Sequence, residues 1–138
     1  MNATDPVPVG VTVTSVTGDG TMIFSGSGTL HRDSRGIHLR YMARDGEGNA
    51  VTSALHLGVG RAMVDNGTYR LLLDPSHPTS ARILAEGGTL ELNVVTRRIQ
   101  VDLMGNQGAI SLHYTLSAMG RELQEMQVTL ALCPMEQV

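Results

Sequence analysis

Few side chains of this 138-residue sequence fall at spacings that could do chemistry. His38 and His56 are the sharpest pair. If the hairpin between them closes with Arg44 opposite Ala50, they become cross-strand neighbours with Cβ atoms about 5 Å apart. Two imidazoles at that separation could hold a transition metal, given a converging carboxylate or third histidine. No third ligand stands at a suitable spacing, so the pair reads as part of a solvated sheet face and no metal is assigned. Ser111 and His113 lie side by side on one strand face, but no Gly-x-Ser-x-Gly elbow accompanies them. Outward polar residues account for them equally well. Cys133 stands alone near the C-terminus and cannot form an internal disulfide.

Other signals for chemistry fall away on inspection. None of the Gly-x-Gly pairs extends to dinucleotide-binding spacing, and no Gly-Lys-Ser/Thr is present to cradle a phosphate. Asp45-Gly46-Glu47-Gly48-Asn49 lacks the twelve-residue ligand pattern of a calcium loop and reads as a hairpin tip. All ten basic residues are arginine, so a lysine Schiff base is excluded. No catalytic residue and no cofactor emerges, and the residues give no support for an enzyme. Tyr41 and Tyr114 are different, because both fall on apolar faces. A buried tyrosine needs a partner for its hydroxyl. Ser53, opposite Tyr41, is one such partner; a ligand in a cavity is the other.

The elements that must position these residues announce themselves by alternation. Ile99, Val101 and Leu103, then Ile110, Leu112, Tyr114 and Leu116, then Met126, Val128, Leu130 and Leu132 alternate with polar neighbours. A period of two means strands with one buried and one wet face. Turn residues such as Gly18-Asp19-Gly20, Asn66-Gly67, Gly105-Asn106 and Gly120 divide the chain at hairpin spacing. Strands are expected at 7–17, 21–31, 37–44, 50–58, 61–65, 68–74, 79–86, 89–96, 98–104, 109–119 and 123–132. The segment 118–127 reads as a hairpin in preference to a helix, because Gly120 interrupts it.

Registers follow from matching apolar to apolar. The 37–58 hairpin pairs Ile37 with Leu57, Leu39 with Leu55, Tyr41 with Ser53 and, on the other face, His38 with His56. The Gly105–Gly108 hairpin is expected to pair Leu103 with Ile110, Val101 with Leu112 and Asp102 with Ser111. The last hairpin is expected to have a three-residue loop, pairing Leu116 with Met126, Tyr114 with Val128 and Leu112 with Leu130. Between 89 and 104 the apolar parity changes, so a turn or bulge within 95–98 must switch the face, near Arg97-Arg98.

Length and composition fit one soluble domain spanning 1–138, with 1–6 and 133–138 expected as flexible tails. A net charge of −3 weighs against nucleic acid or an anionic membrane surface as partner. No secretory leader pattern and no long apolar run is seen, so a cytoplasmic location is expected. Ten or eleven short antiparallel strands with one apolar face each must also solve the edge problem, which barrel closure does completely.

Gly28-Thr29-Leu30, Ile37-His38-Leu39-Arg40-Tyr41, Thr89-Leu90-Glu91-Leu92-Asn93-Val94 and Gly108-Ala109-Ile110-Ser111-Leu112-His113-Tyr114-Thr115-Leu116 follow in the order and spacing of the YwiB-like bacterial proteins. The chain resembles that family, of unknown function, over nearly its whole length. The resemblance implies a calycin (lipocalin-like) barrel and no established activity. Two departures stand out: Asp65 occupies a position where the family usually has arginine, and 79–88 lacks aromatic residues. The expected fold is all-β, a single antiparallel up-and-down barrel of about ten strands. The expected function is binding of an apolar or amphipathic small molecule in its interior, lined by Leu39, Tyr41, Leu55, Val101, Leu112, Tyr114 and Val128. The alternative is a solid-core interaction module, as a homodimer or with another protein, and after it a metal protein or enzyme built on the histidines.

Overall fold

The computed structural model describes residues 5–44 and 49–135. Ten strands run β1 (Val7–Thr17), β2 (Gly20–Asp33), β3 (Gly36–Arg44), β4 (Ala50–Leu57), β5 (Ala62–Asp65), β6 (Tyr69–Leu73), β7 (Thr79–Ala85), β8 (Gly88–Met104), β9 (Gln107–Ala118) and β10 (Arg121–Pro134). Each pairs antiparallel with its sequence neighbour, and β1 pairs with β10 to close the barrel. The expected up-and-down closed barrel is therefore what forms. The tip at Asp45–Gly48 lies outside the described residues, as do residues 1–4 and 136–138 of the expected tails. Cys133 and Pro134 are strand residues, with Cys133 opposite Gly10. No helix among the described residues is long and apolar enough to cross a membrane.

The core is a registered belt. Leu30, Leu39, Leu55, Val64, Leu71, Ala81 and Leu92 are successive Cα partners from β2 to β8, and all are buried. Val9, Val94, Ile110 and Leu130 pack into the same cluster. The β3–β4 register matches the sequence reading pair for pair, from Ile37↔Leu57 to Arg44↔Ala50. The expected face switch is also present: Thr96 pairs Tyr114 and Arg98 pairs His113, leaving Arg97 as the extra residue of a bulge. Because the bulge keeps the strand continuous, 89–104 forms one strand instead of two.

Two registers differ from expectation by two residues. Val101 faces Ile110 and Leu103 faces Gly108, while Tyr114 faces Met126 and Leu112 faces Val128. Tight turns explain both shifts. Gly105 takes φ 64° at the first turn position, so the hairpin closes one pair earlier, at Met104↔Gln107. Gly108 then lies at φ 138°, where a Cβ would come within 2.0 Å of the Asp102 carbonyl oxygen, so only glycine fits opposite Leu103. In the last hairpin Met119 and Gly120 both take positive φ, giving a two-residue turn, and the ladder absorbs Leu123 as a bulge. A shift of two preserves the pleat, so every face stays as expected.

Among the described residues, Thr115 Oγ1 is an enclosed side-chain oxygen with no hydrogen-bond partner. An unpaired buried hydroxyl costs roughly 1–3 kcal/mol. Thr115→Val keeps the β-branched shape and removes that hydroxyl. The variant should gain about 1 kcal/mol in urea unfolding, with an unchanged denaturant slope.

Candidate functional site

A cavity of about 360 Å³ lies at the end of the barrel that carries the β1–β2 and β5–β6 turns. Its wall is mostly aliphatic, with Val13, Val64, Leu112, Met126, Val128 and Leu130. All three tyrosines of the chain, Tyr41, Tyr69 and Tyr114, converge on it from β3, β6 and β9. The opposite half of the barrel is solid. There Leu30, Leu39, Leu55, Leu73 and Ile110 are fully buried. That end is also tied shut, with Arg32 Nη1 donating to Asn106 Oδ1 at 3.2 Å and Nη2 donating to the Gly105 carbonyl.

The tyrosines are held by local chemistry. Tyr41 faces Ser53 in the β3–β4 ladder, and the Ser53 hydroxyl offsets part of the rise that burial imposes on the phenol. Tyr69 follows the Asn66-Gly67-Thr68 turn. Asn66 Oδ1 accepts from the backbone N–H of Thr68 at 2.9 Å and of Tyr69 at 2.8 Å, fixing where the ring enters. Asp65 steadies the same turn by accepting from the Gly67 N–H at 2.9 Å and from Arg70 Nε at 3.2 Å. The Gly67 bond is the main cause holding the Asp65 carboxyl below its usual value. No hydrogen bond from a described residue reaches the Tyr69 or Tyr114 hydroxyl, yet neither oxygen is sealed off in the way that Thr115 is.

Burial is the main cause that raises all three phenols, and their mutual proximity adds to it for Tyr69 and Tyr114. Tyr69 is pushed up to about 12. At neutral pH the three are therefore uncharged O–H groups. Each keeps a proton to donate.

Of the residues expected to line the interior, Tyr41, Leu112, Tyr114 and Val128 do so. Leu39 and Leu55 point inward but belong to the packed half, at 1% and 0% exposure. Val101 is 40% exposed and does not line the cavity. The cause is that β7 stops pairing at Thr79↔Val94, so the rest of β8 pairs only with β9 and overhangs the barrel. Tyr69, Phe24 and Met126 also line the cavity and were not singled out by the sequence reading. The alternation Tyr69, Leu71, Leu73 carried the signal for Tyr69, since both leucines are buried.

The histidines sit on the outer face, as expected. His31, His38 and His56 are successive partners across β2, β3 and β4. His38 Nδ1 lies 2.8 Å from His56 Nδ1, and His38 Nε2 lies 2.9 Å from Asp33 Oδ1. With neutral rings, His38 Nε2–H donates to Asp33, so its Nδ1 accepts from His56 Nδ1–H. Among the described residues no group of three or more histidine, cysteine, aspartate or glutamate side chains is arranged to hold a metal. The pair is a hydrogen bond between the two rings. His113 bonds Glu125 Oε1 at 3.0 Å and does not join Ser111 in a relay.

A family model described as a domain of unknown function (DUF1934) matches residues 10–130. The chain belongs to this family. Among solved structures, the one titled "Crystal structure of ywiB protein from Bacillus subtilis" is similar over 94% of each chain, with 25% identity and a TM-score of 0.75. The resemblance to YwiB-like proteins thus extends from short motifs to the whole barrel. No curated protein matches.

Desolvation lowers the His56 pKa from its ordinary 6.5, and the neighbouring His38 and Arg40 charges lower it further, against the opposing pull of Asp65 and Asp33. Below pH 6.5 the unfolded chain therefore takes up a proton that the folded protein resists, so stability falls on acidification. The melting temperature should drop as pH falls from 7.5 to 5.5. His56→Gln removes the group and should flatten that part of the profile.

Proposed function

We propose that this protein binds an apolar or amphipathic small molecule in the tyrosine-lined cavity, as a carrier or sensor domain and not as a catalyst. The observation that carries this reading is the cavity itself. Its 360 Å³ lies within the range of roughly 300–1,000 Å³ typical of small-molecule sites, and it combines aliphatic walls with a few convergent polar groups. Met22 and Ile23 at its mouth are 65% and 69% exposed, apolar surface that an occupant would cover. A barrel packed solid throughout would have no such space.

The test uses N-phenyl-1-naphthylamine, a neutral apolar fluorophore. Its emission should rise and shift to the blue with a single saturable site per chain. Val128→Trp fills the cavity from a half-buried wall position and should weaken binding at least tenfold. Absence of saturable binding to the unaltered protein would overturn the reading.

A second reading has its own observation. Val16, Met22 and Ile23 on β1–β2, Leu84 and Leu90 on β7–β8, and Met119 and Leu123 on β9–β10 are all exposed, and these hairpins share the mouth end. Clustered exposed apolar side chains mark contact surfaces. We infer a homodimer joined mouth to mouth. Sedimentation velocity should find a dimer that the double variant Met119→Glu, Leu123→Glu converts to a monomer; a monomer at every concentration would exclude it.

A further inference from the structure

We propose that the cavity selects an uncharged ligand bearing a hydrogen-bond acceptor, such as a ketone, ester or amide carbonyl on an apolar body, with Tyr69 and Tyr114 donating to that acceptor. This rests on the cavity-binding reading and adds the chemical class of the occupant.

Three observations carry it. First, none of the described residues lining the cavity is charged; its polar side chains are hydroxyls and the Asn66 carboxamide. A carboxylate or ammonium entering such a wall would leave its hydration shell without a compensating opposite charge, which costs several kcal/mol. Second, the cavity's hydrogen-bonding groups are unevenly committed. Ser53 stands directly across the ladder from Tyr41, and Asn66 Oδ1 is occupied by two backbone N–H groups. The Tyr69 and Tyr114 hydroxyls have no partner among the described residues, although Tyr114 is only 5% exposed. Third, phenols held in this environment keep their protons, so each can donate to an acceptor on an occupant. A ligand carbonyl would satisfy both groups. A pure hydrocarbon would leave them unpaired in a drier cavity, at a cost of about 1–3 kcal/mol for each unsatisfied group.

The two donors come from different strands: Tyr114 lies on β9 between Thr96 of β8 and Met126 of β10, and Tyr69 opens β6 just after the Asn66-Gly67-Thr68 turn.

Displacement of N-phenyl-1-naphthylamine by three ten-carbon competitors, decan-2-one, decanoate and decane, tests this at pH 8. Decan-2-one should compete at least tenfold more strongly than decanoate. In Tyr69→Phe, Tyr114→Phe, the ketone should lose at least tenfold relative to decane, because only the ketone used the hydroxyls. The comparison of competitors on the unaltered protein needs no variant to fold. Decanoate competing as strongly as the ketone, or a ketone-to-decane ratio untouched by the phenylalanines, would overturn the inference while leaving cavity binding intact. If the fluorophore itself finds no saturable site, both readings fall together.

Discussion

Ten strands closed into one barrel enclose more space than this sequence can fill. An eight-stranded barrel has an interior that side chains just fill, and the diameter grows with strand number. Filling a wider lumen calls for bulky rings. Here the whole chain has one phenylalanine, three tyrosines and no tryptophan. Leucine, valine and alanine close the belt from Leu30 to Leu92, yet they reach across only one half of the barrel. The cavity is thus a consequence of closure combined with composition, and the tyrosines stand where the packing runs out.

That division gives the two ends different characters. At the solid end, Arg32 reaches across to the β8–β9 turn, and short aliphatic side chains interlock to near-zero exposure. At the open end the same inward positions carry hydroxyl-bearing rings, whose bodies pack like apolar residues and whose oxygens need partners. The Asn66 turn illustrates how local backbone chemistry serves the site. Its carboxamide satisfies two N–H groups of the chain as it enters β6, and Tyr69 is delivered into the lumen by that constraint. Asp65 anchors the turn from outside.

Much of this was legible in the residues because alternation encodes faces directly. The β3–β4 hairpin was readable pair by pair, including Tyr41 against Ser53 and His38 against His56. Alternation has a blind spot, however. A slip of two residues leaves every side chain on its own face, so hydrophobic pattern cannot distinguish the two registers of β8–β9 or β9–β10. Backbone sterics decide there, through Gly105, Gly108 and the Met119–Gly120 turn. Depth along the barrel axis is equally invisible to a period of two. Leu39, Leu55 and Val101 share the inward parity with Tyr41 and Leu112, but axial position places two of them in the packed half and the third on an overhang. The N···N contact between the histidines also lay beyond reach, since it depends on ring rotation and on Asp33 at the end of β2.

The inner and outer sites are bound together by one register. On β3 and β4, Tyr41 and Ser53 face the lumen while His38 and His56 face out, and each pair sits in cross-strand contact. A one-residue slip would bring the imidazoles into the core and push the phenol into water, losing burial and two hydrogen bonds together. The Asp33–His38–His56 network therefore does structural work at a distance from the cavity: it adds a directional restraint to the strands that present Tyr41. Because Nδ1 faces Nδ1, the contact holds only when one of the two nitrogens donates and the other accepts. The ladder between β3 and β4 thus carries the outer histidine pair and the inner Tyr41–Ser53 pair in one register.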